Sequence, residues 1–190
     1  MSRKYKFHDQ SKLYFISVST VNWIDVFTRN IYKDIVVESL KYCIKEKDLE
    51  LYAWVIMRSA AQPNHIHLII GTRGELLQNI MRDFKKFTSK KIVEAIRTNP
   101  QESKKDWMIW MFERAGKKNP NNEKVQFWQQ HNQPIELNSV TIMRQKLDYL
   151  HENPVKAGFV RNAEDWIYSS AVDYYTNNRK GLIEDLTLIE

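Results

Sequence analysis

The sequence predicts an α+β fold, a ferredoxin-like sandwich in which an antiparallel sheet carries helices packed on one face. The chain has 190 residues, the length of one ordinary domain. Its residues are 43% hydrophobic, which is enough for a buried core. Strand-like and helix-like patterns also follow one another in the order strand, helix, strand, strand, helix, and this order fits the ferredoxin-like arrangement.

The first half of the chain provides three strands and a helix. Residues 13–20 are rich in aromatic and β-branched side chains, which is typical of a strand. Residues 31–47 have apolar side chains at helical spacing and predict an amphipathic helix. Two further strands are predicted over residues 49–57 and 65–70, and Gly71 closes the last of them.

A long helix is predicted over residues 76–96. One face carries apolar side chains at the spacing of a buried stripe, namely Leu77, Ile80, Phe84 and Phe87. Another side carries a basic row, namely Arg82, Lys86 and Lys90, with Lys85 and Lys91 beside them. A row of this kind usually means only a solvated helix face. It indicates nucleic-acid contacts when other features point the same way.

The second half of the chain is less regular. Residues 98–106 and 116–124 are polar and predict two exposed loops. We expect residues 1–175 to form one domain and residues 176–190 to form a C-terminal tail. Six tryptophans are present, and for three of them we expect burial rather than stacking on bases: Trp107, Trp110 and Trp128.

The composition restricts the function classes. The single cysteine, Cys43, excludes an intramolecular disulfide framework and a multi-cysteine metal cluster. Apolar runs are too short to cross a bilayer, and the N-terminus has no apolar core of the secretory kind, so we expect a cytoplasmic protein with no membrane partner. Lysine and arginine number 29 against 23 acidic residues, a formal charge of +6. Nucleic acid is therefore the leading class of partner.

Two histidines, His65 and His67, are the sharpest local feature. Side chains two apart in a strand point to the same face, so the imidazoles emerge together while Ile66 points away into the core. Two neutral imidazoles side by side make half of a divalent-metal site. The alternative is a pair of imidazoles that only form hydrogen bonds on the sheet surface.

The last predicted helix carries a second candidate pair. It begins at Ser139 or at the asparagine before it, and it ends at Glu152, because Pro154 disfavours a helical residue ahead of it. Tyr149 and Asn153 are four residues apart and share one helix face. Tyrosine is a poor nucleophile at neutral pH, but a metal opposite it can polarise the phosphate that it attacks. The alternative is a tyrosine at the rim of the core and an asparagine that terminates the helix.

Taken together, these segments resemble a known family, the REP-associated and insertion-sequence single-tyrosine transposases of the His-hydrophobic-His (HUH) single-strand nucleases. The most specific segments are Pro63-Asn64-His65-Ile66-His67-Leu68 and Tyr149-Leu150-His151-Glu152-Asn153-Pro154. The matched blocks, in the family's order, are residues 55–57, 63–70, 81–91, 127–130, 134–135, 146–158 and 166–171. The resemblance extends over roughly residues 5 to 175.

The resemblance implies a role for each matched residue. His65 and His67 would be metal ligands, Asn153 the third protein ligand and Tyr149 the nucleophile, with Mg²⁺ or Mn²⁺ as the metal. The implied activity is cleavage and rejoining of single-stranded DNA next to hairpins, through a 5′-phosphotyrosine intermediate. The basic row would contact the DNA backbone through Arg82, Lys85, Lys86, Lys90 and Lys91. Family members act as monomers or as homodimers.

Two other functions stay open at this point. In the family the strand before Pro-Asn-His meets it almost directly, whereas residues 58–62 lengthen the turn here. This departure motivates the hypothesis of a non-catalytic hairpin-binding protein that retains the fold. A one-residue slip in register would also turn both histidines into the core. A metal-dependent hydrolase that uses activated water, with Tyr149 purely structural, is the third hypothesis.

Overall fold

The structure is a computed structural model, and it describes residues 7–58, 64–119, 124–130, 132–177 and 180–189. Its strands are β1 (Tyr14–Ser19), β2 (Leu49–Met57), β3 (His65–Thr72) and β4 (Ile135–Glu136). Its α-helices are α1 (Asn30–Glu46), α2 (Leu77–Thr98), α3 (Lys105–Lys117), α4 (Val140–Lys156) and α5 (Ala171–Tyr175). None of the helices in these ranges combines the length and the apolar character that a membrane span requires. The lengthened turn predicted over residues 58–62 lies outside the described residues except for Arg58.

The four strands form one antiparallel sheet in the order β2-β3-β1-β4. β1 and β3 are the central pair, and the β1-α1-β2 and β3-α2-β4 connections each pass over a neighbouring strand. This is the ferredoxin-like arrangement, so the predicted α+β fold is confirmed.

Helices cover both faces of this sheet, and the prediction that they pack on one face is wrong. One face packs against α1, α2 and α3 in the larger core, which includes Ile66 and Leu68. The other face packs against α4, where Leu147 and Leu150 contact Val55 and its neighbours. The physical reason is visible in β2 and β3, where apolar residues run almost continuously instead of alternating with polar ones. Strands of this kind are buried on both sides.

The buried stripe of α2 differs from the prediction at one position. Phe87 is 51% exposed, whereas Thr88 is buried. At about 100° per residue, Thr88 lies close to the direction of Leu77, three turns earlier, and Phe87 lies well to the side. The position on the helix, and not the hydrophobicity of Phe87, therefore decides which of these two side chains is buried.

Helix α3 occupies the stretch between the two predicted loops, and residues 105–106 and 116–117 of those loops belong to it. Met108 and Phe112 point into the core, one turn apart. Trp128 is buried as predicted, and its Nε1–H donates to Thr88 Oγ1 at 2.9 Å. The prediction is wrong for Trp107 and Trp110, which are 49% and 52% exposed.

Helix α4 begins as predicted and continues further than predicted. Ser139 is the N-cap, and its Oγ accepts a hydrogen bond from the backbone nitrogen of Ile142. Pro154 lies inside the helix, which extends to Lys156 instead of ending at Glu152. Ala157 is the C-cap, and Gly158 follows it with a φ of +73°, the left-handed conformation that favours glycine after a helix.

The outer edge of β2 is covered by the C-terminal part of the chain. The backbone nitrogen of Ile56 donates to Tyr168 O, and the nitrogen of Ser170 donates to Trp54 O, both at 2.9 Å. Further along the same edge, the nitrogen of Thr187 donates to Leu51 O. Within the predicted tail, Ile183 is buried in the larger core. The described part of the tail therefore packs onto the domain.

A buried histidine in α4 couples the stability of the fold to pH. His151 Nε2 lies 2.9 Å from Ser170 Oγ and Nδ1 lies 3.2 Å from Tyr175 Oη, and burial lowers the pKa of His151 to about 4. The unfolded chain takes up a proton near pH 6.5, so the free energy of unfolding should fall between about pH 6.5 and pH 4, by up to about 3 kcal/mol. Urea unfolding at a series of pH values measures this loss.

The variant His151→Gln isolates the contribution of this side chain from that of other buried groups. Its free energy of unfolding should depend less steeply on pH, so wild type and variant converge as the pH falls. Parallel curves for the two proteins would contradict the assignment.

Candidate active site

The histidine pair lies on the sheet face that α4 covers. In the pairing register His65 lies opposite Met57 and His67 opposite Val55, and the centroids of the two imidazole rings are 4.4 Å apart. Ile66 lies in the core on the opposite face, as the strand period predicts. The one irregularity between β2 and β3 falls between Leu51 and Ala53, away from the pair. The two imidazoles therefore share the face that α4 covers, where both are buried, and the register slip that would turn them into the larger core does not occur.

His67 is held in a position and a protonation state that suit a metal ligand. Its Nδ1 lies 2.8 Å from Ser17 Oγ, and Phe15 stacks on the ring at a centroid distance of 5.1 Å. Its Nε2 is buried and has no hydrogen-bond partner among the described residues. Burial, and then the neighbouring His65, lower the pKa of His67 to about 3. A neutral imidazole with its proton on Nδ1, facing Ser17, leaves the Nε2 lone pair for a cation.

Helix α4 places Tyr149 beside this pair. The ring centroid of Tyr149 lies 5.4 Å from that of His67 and 6.0 Å from that of Phe15. The residue is 42% exposed, so its ring packs on the site while a substrate retains access to it. The structure therefore brings together an imidazole and a phenol that are 82 positions apart in the sequence.

Lys146, which begins a matched segment of the sequence but received no role there, completes this surface. It lies one turn before Tyr149 on α4, and its Nζ is 5.6 Å from the centroid of the Tyr149 ring and 5.1 Å from that of Phe15. An ammonium group at this position adds positive charge where the negative charge of a phosphodiester would lie. The sequence did offer one signal for this position: Lys146 lies three residues before Tyr149, so the two side chains are neighbours on the predicted helix.

Asn153 lies one turn beyond Tyr149 and is buried. Its Nδ2–H donates to the backbone oxygen of Tyr149 at 2.8 Å. The amide nitrogen is thus occupied, so the side-chain oxygen is the atom that would bind a metal. No group of three or more histidine, cysteine, aspartate or glutamate side chains suited to a metal exists among the described residues. The amide oxygen of Asn153 is one candidate oxygen ligand for a metal at the histidine pair.

Asn64 fixes the start of β3, directly before the histidines. It is fully buried, its Oδ1 accepts a hydrogen bond from the backbone nitrogen of Phe27 at 2.5 Å, and its Nδ2–H donates to Asp25 Oδ1 at 2.6 Å. Its backbone oxygen accepts a hydrogen bond from the nitrogen of Thr20 at 3.0 Å. Asn64 thereby ties the turn after β1 to the beginning of β3 and positions His65. Its place in the matched segment was visible in the sequence, but its partners were not.

Replacing Asn64 with alanine should lower the free energy of unfolding by about 2–3 kcal/mol, because it leaves the buried N–H of Phe27 without an acceptor. Urea unfolding measures the change. The control is Asn162→Ala, which removes an exposed amide that bonds Asp165 and should cost less than about 0.5 kcal/mol. Equal losses in the two variants would contradict the role of Asn64.

The five basic residues predicted to contact DNA divide into two groups. Four are exposed on α2, namely Arg82, Lys86, Lys90 and Lys91. Arg82 pairs with Asp83 at 3.0 Å and Lys91 pairs with Glu94 at 3.5 Å. The exposed ring of Phe87 lies among these cations.

Lys85 is turned inward and holds a neighbouring segment. Its Nζ donates to Gln129 O at 2.5 Å and to Asn132 Oδ1 at 3.0 Å, and burial lowers its pKa to about 8. This ammonium ties α2 to the segment that runs along the outer edge of β1, where the nitrogen of Ser17 donates to Asn132 O. The structure separates Lys85 from the exposed row.

Comparison with known proteins gives one clear structural likeness. A solved structure of the REP-associated tyrosine transposase bound to a REP hairpin superposes with a TM-score of 0.64, and the alignment covers 96% of this chain and 90% of that chain. The sequence identity is 17%, so the likeness establishes a common fold. That protein belongs to the family that the sequence resembles. No protein-family model matches the chain, and no curated protein matches it in sequence.

Proposed function

We propose that this protein is a single-tyrosine transposase-type nuclease that cleaves and rejoins single-stranded DNA next to hairpins. The observation that carries the proposal is the position of Tyr149, a partly exposed phenol packed against the imidazole of His67. His67 in turn offers a buried Nε2 without a partner in the described part of the chain. The common fold with a hairpin-bound tyrosine transposase supports the same function.

In the proposed reaction Tyr149 is the nucleophile. The Oη of Tyr149 attacks the phosphorus of a phosphodiester in line with the bond to the 3′ oxygen. The bond from Oη to phosphorus forms, and the bond to the 3′ oxygen breaks. The phenolic proton passes to solvent, and the departing 3′ oxygen takes up a proton. The product is a 5′-phosphotyrosine, which a second 3′-hydroxyl resolves by the reverse exchange, so no nucleotide cofactor is consumed.

The residues around the site fit a divalent cation. Nε2 of His67, the imidazole of His65 and the amide oxygen of Asn153 would hold Mg²⁺ or Mn²⁺, with imidazole ligands favouring Mn²⁺ as the tighter binder. When bound, such a cation polarises the phosphate and stabilises its developing charge. Ser17 Oγ can accept the Nδ1 proton of His67, which leaves Nε2 to the cation, and Asn64 anchors the strand that carries both histidines.

The substrate is proposed to lie along basic surfaces that flank the site. Lys146 projects beside the Tyr149 ring, and four exposed cations follow α2 around Phe87. Cations contact phosphates without reading sequence, and an exposed aromatic ring offers a face for an unpaired base. Affinity that depends on such contacts falls steeply with salt concentration.

Incubation of the protein with a hairpin oligonucleotide that carries single-stranded flanks, in the presence of Mn²⁺, tests this function. We expect a covalent protein–DNA adduct that survives denaturation, and peptide mapping should locate it on Tyr149. Hairpin binding without an adduct would favour the non-catalytic hairpin-binding protein. Cleavage without an adduct would favour a hydrolase that uses water.

A further inference from the structure

An open cleft of about 850 Å³ lies between α3, the turn after β1 and the segment that follows α3. Its polar lining includes Asn22, Arg114, Lys118, Gln126, Gln129 and Gln130. No carboxylate is among the described residues that line it. The cleft is thus positively charged and rich in amide groups, and neither the histidine pair nor Tyr149 belongs to it.

The two cations of this cleft are available to a ligand. Neither Arg114 nor Lys118 forms an ion pair within the described parts of the chain. The guanidinium of Arg114 instead lies 5.1 Å from the centroid of the Trp110 ring. Residues 110, 114 and 118 are spaced by four, so they form one row along α3 and its C-terminal end. A polyanion that lies along this row would meet positive charge and an aromatic face together.

Exposed tryptophans border the cleft. Trp110 is 52% exposed on α3, and Trp23 is 65% exposed directly after the cleft residue Asn22. Both Asn22 and Trp23 have left-handed backbone conformations, with φ of 51° and 55°. That conformation is unfavourable for a bulky residue, and here it accompanies an indole that faces solvent. Tryptophans that remain exposed beside cations are typical platforms for unpaired bases.

The cleft is adjacent to the candidate active site in the sheet. The backbone nitrogen of Gln129 donates to Ser19 O at 2.8 Å, and Ser19 lies opposite His65 in the β1–β3 pairing. Lys85 holds the backbone oxygen of Gln129 from the other side. The cleft residue Gln129 is therefore two strand spacings from His65, about 10 Å. A strand of DNA could pass around the outer edge of β1 and reach both places.

We infer that this cleft binds the single-stranded DNA that flanks the hairpin, with Arg114 and Lys118 on its phosphates, Trp110 stacked on a base and the side-chain amide of Gln130 on a base edge. The inference rests on the proposed function, because it supplies the strand that Tyr149 would cut. Unpaired DNA fits better than a duplex, since aromatic stacking and amide contacts need base faces and edges that a duplex keeps stacked.

The test compares two fluorescent DNA probes, a hairpin with single-stranded flanks and the same hairpin without them. Trp110→Ala and Arg114→Ala should each weaken binding of the flanked hairpin about tenfold and leave the bare hairpin unchanged. Replacing both Arg114 and Lys118 should also reduce the slope of log affinity against log salt by about 1.4, because each phosphate that the protein neutralises adds about 0.7 to that slope for single-stranded DNA.

Matched controls come from α1, on a surface away from the cleft. Tyr42→Ala removes another exposed aromatic ring, and Lys45→Ala removes another exposed cation, so both should bind the flanked hairpin like wild type. Wild-type affinity in Trp110→Ala and Arg114→Ala would overturn the inference, as would an equal loss for both probes. Adduct formation is scored separately. If the wild type forms no adduct but the cleft variants still lose flank binding, the cleft stands and the nuclease function falls.

Discussion

The variant Tyr149→Phe should form no covalent adduct with hairpin DNA, under conditions in which the wild type forms one readily. The change removes a single oxygen atom and keeps the ring that packs edge-on against His67 and Phe15. Both the fold and the affinity for DNA should therefore stay near wild type, while the atom that would bond to phosphorus is gone. Denaturing gel electrophoresis with end-labelled DNA, run beside a binding titration, measures both quantities.

The matched control for this prediction is Tyr42→Phe, which removes a hydroxyl from an exposed tyrosine on α1. It should form adducts at the wild-type rate. Adducts that persist in Tyr149→Phe would assign the nucleophile to another residue. A variant that has lost hairpin affinity as well would show that the hydroxyl acts in binding.

The second large effect concerns the cation. His67→Ala and His65→Ala should each lower the affinity for Mn²⁺ at least about 100-fold, because each removes one of the two imidazoles that we propose as metal ligands. Isothermal titration of the protein alone with Mn²⁺ measures this without reference to DNA cleavage. Asn153→Ala should reduce the affinity less, since a neutral amide oxygen is a weaker donor than an imidazole for this metal.

A histidine outside the site provides the comparison. His8 is exposed near the start of the described chain, and His8→Ala should bind Mn²⁺ like wild type. If His65→Ala and His67→Ala also bind Mn²⁺ like wild type, the metal does not bind at the histidine pair and the proposed metal site is wrong. Circular dichroism of the variants separates loss of a ligand from loss of the fold.

The central strands and the face of the histidine pair were predictable from the sequence, because they depend on local periodicity. Alternate residues of a strand share a face, so His65 and His67 follow from their spacing of two. The N-cap at Ser139 follows from the chemistry of a single hydroxyl. The approach of Tyr149 to His67 was expected from the family resemblance, since no local pattern joins residues so far apart.

Other features depend on tertiary contacts that no local pattern encodes. The partners of Asn64 come from a turn about 40 residues earlier, and Lys85 meets carbonyl oxygens more than 40 residues later. Pro154 stays helical because the surrounding core holds α4 in place, which overrides the usual preference of the residue before proline. Trp110 is exposed although tryptophan usually packs inside, which is a departure expected at a surface kept for a ligand.

The covering of β2 by residues 168–170 and by Thr187 restricts how two copies of this chain can associate. A sheet that continues from one subunit into the next needs a row of unbonded peptide groups at the joining strand. On this side of the protein the chain has already supplied its own partner, so that mode of self-association is closed. Any homodimer that uses this side would have to be assembled through side chains, and substitutions that change its strength would leave the hydrogen bonds of the sheet in place.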